Sequence, residues 1–141
     1  MIKRNVVEQD PFEKGRRKIL NFGHTIGHAV ETLSLNNDKK PLLHGEAIAI
    51  GMICEAWLSN KYCGLPDTEL NNITELISTI YPAYAITNQS FDSLLGLMYQ
   101  DKKNESGNIM FSLLRKIGDC GFNDEVSIAD IQSSINYYMS L

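Results

Sequence analysis

The chain has 141 residues, 43% of them hydrophobic, which is enough for one domain with a real core. Its formal net charge of −4 excludes a general electrostatic attraction to nucleic acid or to an anionic membrane. No apolar run reaches membrane-spanning length and the start, MIKRNVVEQDPFEKGRR, lacks the apolar core of a signal peptide, so a soluble cytoplasmic protein is expected.

In chain order, residues 1–9 are mixed, with Lys3 and Arg4 the notable charges. Asp10-Pro11-Phe12-Glu13 then reads as a helix opening: Asp10 as N-cap, Pro11 at the first helical position and Glu13 as the capping-box acid. Ile19, Leu20, Phe22, Ile26, Val30 and Leu33 continue an apolar stripe to about Leu35. Gly23 and Gly27 interrupt it at roughly 1 kcal/mol each against alanine. Such a cost is tolerated where backbone or ligand must come close, so a break or tight contact is expected at Gly23.

Residues 36–41 form a polar loop. The next helix, about His44–Cys63, is apolar on nearly every side of its first half and therefore buried, with Ala47, Ala49, Gly51 and Ala56 permitting close helix approach. Gly64 and Pro66 end it. An amphipathic helix follows over 68–80, with Leu70, Ile73, Leu76, Ile77 and Ile80 inward, then another over 90–99 capped by Ser90. A charged turn at 101–107 leads into an apolar run at 109–114, expected as a strand with its partner in 118–126. Ser127 caps a last helix with Ile128, Ile131, Ile135 and Tyr138 inward. The expectation is a single domain over 1–141, a mainly α, multi-helix fold with one small β-hairpin element.

Cys54, Cys63 and Cys120 are odd in number and form no CxxC pair, which argues against a disulfide framework and a thiolate zinc site. All three histidines, by contrast, fall within residues 16–46. On a helix His24 and His28 share a face and can chelate one ion, with His44 or Glu46 completing the shell; equally, one can hold the metal while the other carries protons. Spacing alone leaves both open. On a continuous helix Arg17, Asn21 and His24 also share a face, a set suited to a carboxylate or phosphate.

Arg17-x-x-Leu20-Asn21-Phe22-Gly23-His24-Thr25-Ile26-Gly27-His28-Ala29-Val30-Glu31, then Leu43-His44-Gly45-Glu46-Ala47-x-Ala49-Ile50-Gly51-Met52, then Asp101-Lys102-Lys103, resemble 3-dehydroquinate synthase. The likeness runs the length of the chain but concerns only the C-terminal, helical half of that enzyme. It implies a metal- and NAD-dependent lyase of the shikimate route that cyclises 3-deoxy-D-arabino-heptulosonate 7-phosphate to 3-dehydroquinate with loss of phosphate. It further implies Zn2+ or Co2+ held by His24 and His44, His28 in substrate contact and acid/base work, and Glu13 as proton acceptor. Lys3, Arg17, Asn21 and a lysine of the 101–103 turn, Lys102 in preference to Lys103, would hold the substrate's anionic groups. Gly45 and Glu46 would support the His44 loop, Glu46 orienting an imidazole from behind.

The loop between His28 and His44 is longer than the family pattern, which places a surface excursion near residues 36–40. Gly23-x3-Gly27 is not a dinucleotide turn, and the family's third metal ligand, a glutamate before the Lys3 position, has no counterpart here. The expectation is therefore a C-terminal domain whose N-terminal NAD-binding half is absent, inactive by itself, partnered by that half and associating as a homodimer. Two other readings stay in view: a 2-deoxy-scyllo-inosose or valiolone-type sugar-phosphate cyclase, and a non-catalytic metal-binding or dimerising helical module.

Overall fold

The helix His44–Cys63 is the axis on which the other elements pack, in a computed structural model that describes residues 20–101, 109–122 and 124–141. In chain order the elements are α1 (His24–Asn37), α2 (His44–Cys63), α3 (Asp67–Ile80), a 3-10 turn (Asn88–Ser90), α4 (Phe91–Asp101), β1 (Met110–Phe111), β2 (Leu114–Lys116), β3 (Asp119–Cys120), β4 (Asp124–Glu125) and α5 (Ile128–Met139). α2 takes the central place because it has no polar face to turn outward: Ala47, Ala49, Ile50, Gly51, Ile53, Cys54, Ala56 and Leu58 are all buried. α1, α3 and α5 each pack on it, and α4 covers the outer side of α1.

α1 and α2 form an antiparallel pair, with Glu31 beside His44, Gly27 against Ile48 and Gly23 against Met52. Glycine brings the two backbones together. A Cβ on Gly51 would lie 2.0 Å from the Gly23 carbonyl oxygen and 2.6 Å from the Gly27 nitrogen, so no larger residue fits the crossing. The expected break is present: residues 20–23 form a 3-10 and turn segment, Gly23 has φ +84°, and α1 begins only at His24. The continuous helical face drawn through Asn21 and His24 is thereby corrected. The helix opening at residues 10–13 and the turn beyond Asp101 lie outside the described residues.

α2 ends on Gly64 at φ +76°, and the Ser127 hydroxyl caps α5 by accepting from the Asp130 N–H at 3.2 Å, both as expected. The inner face of α3 is corrected: Leu70, Thr74 and Ile77 point inward, whereas Leu76 and Ile80 are 62% and 61% exposed. Ile128, at the first turn of α5, is likewise exposed at 46%. The run 109–114 is not one strand. β1 pairs antiparallel with β4 and β2 with β3, and at the junction two amides turn to side chains: Leu113 N–H donates to Asp124 Oδ2 at 3.1 Å and Leu114 N–H, at the start of β2, to Ser59 Oγ at 2.9 Å. Cys54 is fully buried and Cys63 and Cys120 are half-buried, all three as free thiols. No described helix is long and apolar enough to cross a membrane.

Candidate metal centre

The antiparallel register carries His24 and His28 on α1 to the first residue of α2, His44. Ring centroids are 5.0 Å apart for His24 and His28, 5.9 Å for His24 and His44, and 5.8 Å for His28 and His44. One nitrogen from each ring falls within 4.8 Å of the other two, with His24 and His28 half-buried and His44 exposed. The structure thus unites all three histidines.

Two of the rings are held from behind. His24 Nδ1 lies 3.1 Å from the Phe22 carbonyl oxygen, and His44 Nδ1 lies 3.1 and 3.2 Å from the two Glu31 carboxylate oxygens. A carbonyl and a carboxylate oxygen facing Nδ1 accept, which places a proton on Nδ1 of each ring and leaves Nε2 as the nitrogen whose lone pair a metal ion would take. Such backing is the usual accompaniment of a ligating histidine. Glu46 does not provide it. Its carboxylate reaches back to the Leu43 N–H at 2.8 Å, as the acid of a helix N-terminus, so the imidazole-orienting role expected for Glu46 belongs to Glu31.

The loop that delivers His44 is tied down at several points. Ser34 Oγ and the Tyr84 hydroxyl both donate to Asp38 Oδ2 at 2.6 Å, and Leu42 N–H donates to Ser34 Oγ at 2.9 Å. These bonds hold the Asp38 carboxyl below its ordinary range. Residues 36 and 37, read as loop, complete α1, and the excursion shrinks to a braced connection.

Glu55 is the residue sequence reasoning passed over. It is fully buried in α2, and its carboxylate accepts from Gly23 N–H through Oε1 and Ile26 N–H through Oε2, each at 3.0 Å. A carboxylate inside the apolar run Ile53-Cys54-Glu55-Ala56-Trp57 was the available signal. Asn21 lies in the 3-10 segment that leads into His24. Lys3, Glu13, Arg17 and Lys102 lie outside the described residues. A separate cleft of about 350 Å³ is lined by Ile50, Ile53, Ile77, Tyr81, Tyr84 and Tyr138 among others, and offers no charged side chain to a phosphorylated ligand.

A sequence model of the family described as "3-dehydroquinate synthase C-terminal" matches residues 1–104. The 3-dehydroquinate synthase of Parabacteroides distasonis is 45% identical over 137 residues, covering 97% of this chain and 38% of the relative. That of Desulforamulus reducens is 40% identical over 131 residues, covering 92% of this chain and 36% of the relative. The chain therefore spans little more than a third of the length of these relatives. A solved 2-deoxy-scyllo-inosose synthase complexed with carbaglucose-6-phosphate, NAD+ and Co2+ aligns with TM-score 0.75 at 28% identity, over 96% of this chain and 38% of that one.

Proposed function

The chain belongs to the 3-dehydroquinate synthase family, as its C-terminal domain, and from that premise we propose that it is the metal-holding, substrate-contacting part of a 3-dehydroquinate synthase. The reaction would be cyclisation of 3-deoxy-D-arabino-heptulosonate 7-phosphate to 3-dehydroquinate with loss of phosphate. One observation carries the reading: three imidazoles from two helices converge, and two of them have Nδ1 engaged by an acceptor, so that Nε2 carries the lone pair.

Nitrogen donors of this kind suit a borderline divalent ion such as Zn2+ or Co2+. A tetrahedral ion with bonds of about 2.1 Å needs nitrogens roughly 3.4 Å apart, and the present limit of 4.8 Å is within the reach of small ring rotations, most easily at exposed His44. His24 and His44 would hold the ion. When bound, it would polarise the hydroxyl and carbonyl oxygens of the substrate. His28, its ring centroid 5.0 Å from that of His24 and 5.8 Å from that of His44, would give or take a proton at the substrate atoms held there. Asn21, together with Lys3, Arg17 and Lys102, is assigned to the substrate's anionic groups and Glu13 to proton acceptance. The sequence has no glycine-rich dinucleotide turn, so NAD is assigned to the remainder of the longer relatives' length. Homodimer formation belongs to the same proposal; Leu43 beside the centre is 72% exposed, a side chain that association would cover.

Cobalt titration of the purified chain tests the ligand assignment. One-to-one binding should be lost in His24→Ala and His44→Ala and kept in His28→Ala, while His28→Ala in a full-length enzyme should abolish turnover. Loss of binding in all three variants would replace the two-histidine assignment by a three-histidine chelate. Cyclisation of a glucose 6-phosphate-type substrate is the second reading, supported by the likeness to 2-deoxy-scyllo-inosose synthase. Its 28% identity, against 45% for the P. distasonis relative, makes it the weaker one. Turnover assays with each sugar phosphate on the full-length protein separate the two.

A further inference from the structure

We propose that Glu55 is a positioning residue for the histidine centre, an inference that rests on the metal-centre reading above. Its two carboxylate oxygens accept from the N–H groups of Gly23 and Ile26, the residues that bracket His24 and Thr25. These amides belong to the start of α1, where a helix leaves its first donors without intrahelical partners. A side chain at the N-cap normally takes them. Here the N-cap is Gly23, held at φ +84° with no side chain to offer, and the acceptor arrives from the neighbouring helix instead.

That substitution has a mechanical result. Glu55 lies on α2 about one turn beyond Gly51, whose missing Cβ allows the Gly23 carbonyl oxygen and the Gly27 nitrogen to approach. α2 is also the helix that begins with His44. The carboxylate therefore fastens the turn carrying His24 to the same rigid rod that carries His44, so their separation is set by one crossing rather than by two independent helix ends. The Phe22 carbonyl that receives His24 Nδ1–H lies next to Gly23 in this clamped turn. Losing the clamp would release both the ring and its backing acceptor. Removing the carboxylate would also cost stability, because the buried Gly23 and Ile26 N–H groups would lose their acceptor, so the role in positioning must be read from signals other than the melting temperature.

The test uses Glu55→Gln and Glu55→Asp in the full chain. The amide keeps the shape but has one acceptor oxygen and an NH2 donor, so one of the two N–H groups loses its partner. Two readouts are taken beside the melting temperature: the His24 ring-nitrogen NMR shifts of the metal-free protein, which report the Nδ1–H tautomer, and the affinity and visible band of bound Co2+. Folded Glu55→Gln should bind Co2+ at least tenfold more weakly, with a changed band, and lose the single-tautomer pattern at His24; Glu55→Asp should recover part of each. Ile135→Ala, a core change in α5 that lowers the melting temperature, should leave both readouts as in the wild type. A Glu55→Gln protein with wild-type cobalt affinity and His24 shifts would overturn the proposal whatever its melting temperature. If Glu55→Gln does not fold, Glu55→Asp is scored by the same two criteria. If the wild type binds no Co2+, the metal reading has failed, and the metal-free His24 shifts still decide the role of Glu55.

Discussion

At the residue scale, two glutamates in the same region do different work, and spacing does not reveal which does which. Glu46 follows His44 by two positions, yet on α2 that separation turns its carboxylate toward the Leu43 N–H; Glu31, thirteen residues earlier, reaches the imidazole across the helix pair. Second-sphere partners of this kind commonly contribute 10- to 100-fold in metal affinity. Glu31→Gln should therefore weaken Co2+ binding by about that factor with little change in melting temperature, because the side chain lies at the rim of the fold. Glu46→Gln should do the reverse, lowering the melting temperature slightly through the helix terminus and leaving affinity intact. Competition against a chelator of known affinity, run on both variants, distinguishes the two patterns.

At the element scale, most of the helices were legible because their signals are local. α2 keeps the predicted limits His44–Cys63, and the break at Gly23 follows from the cost of two glycines in an apolar stripe. Long-range pairing was not legible. Leu76 and Ile80 carry the right period but sit on a strip that no described residue covers, and the apolar run is divided where Asp124 and Ser59 take the Leu113 and Leu114 amides. The helix crossing itself yields a sharp expectation. Gly51→Ala puts a methyl group 2.0 Å from a carbonyl oxygen, so α1 and α2 must separate. Overpacking of this sort costs about 1–3 kcal/mol or more; a lowered melting temperature together with weakened Co2+ binding is expected, since His44 rides on one helix and His24 and His28 on the other. A second contact of the same scale is the clasp between the end of α2 and the start of α5. There the Lys61 ammonium, followed by the Tyr62 hydroxyl, holds the Asp130 carboxyl at about 2. A carboxyl depressed below its unfolded value of about 3.9 adds stability that is complete above that pH and is lost as the pH falls toward 2. The wild type should lose melting temperature between pH 4 and 2 more steeply than Asp130→Asn, and parallel profiles would mean that the clasp adds nothing.

At the scale of the whole molecule, three imidazoles converge across one helix pair, and the chain's share of its relatives' length bears on what they can do in the proposed function. The histidine motifs were readable from the sequence because they are contiguous and chemically distinctive; Glu55 was not, because its role depends on which helix end lies beneath it. Nothing in the sequence corresponds to a dinucleotide-binding turn, and the chain covers 38% of the P. distasonis enzyme. Hydride chemistry on the sugar phosphate needs a bound nicotinamide, and two histidines alone make a weak zinc site. The 141 residues should therefore bind Co2+ modestly and show no turnover of the heptulosonate phosphate with NAD. Adding the separately expressed N-terminal portion of a relative should raise metal affinity, since a further ligand lowers the dissociation rate, and should restore phosphate release. Phosphate release by the chain alone would show that it supplies the nicotinamide site itself, while restored metal affinity without phosphate release would place the missing function in substrate contacts such as Lys3, Arg17 and Lys102 rather than in the centre.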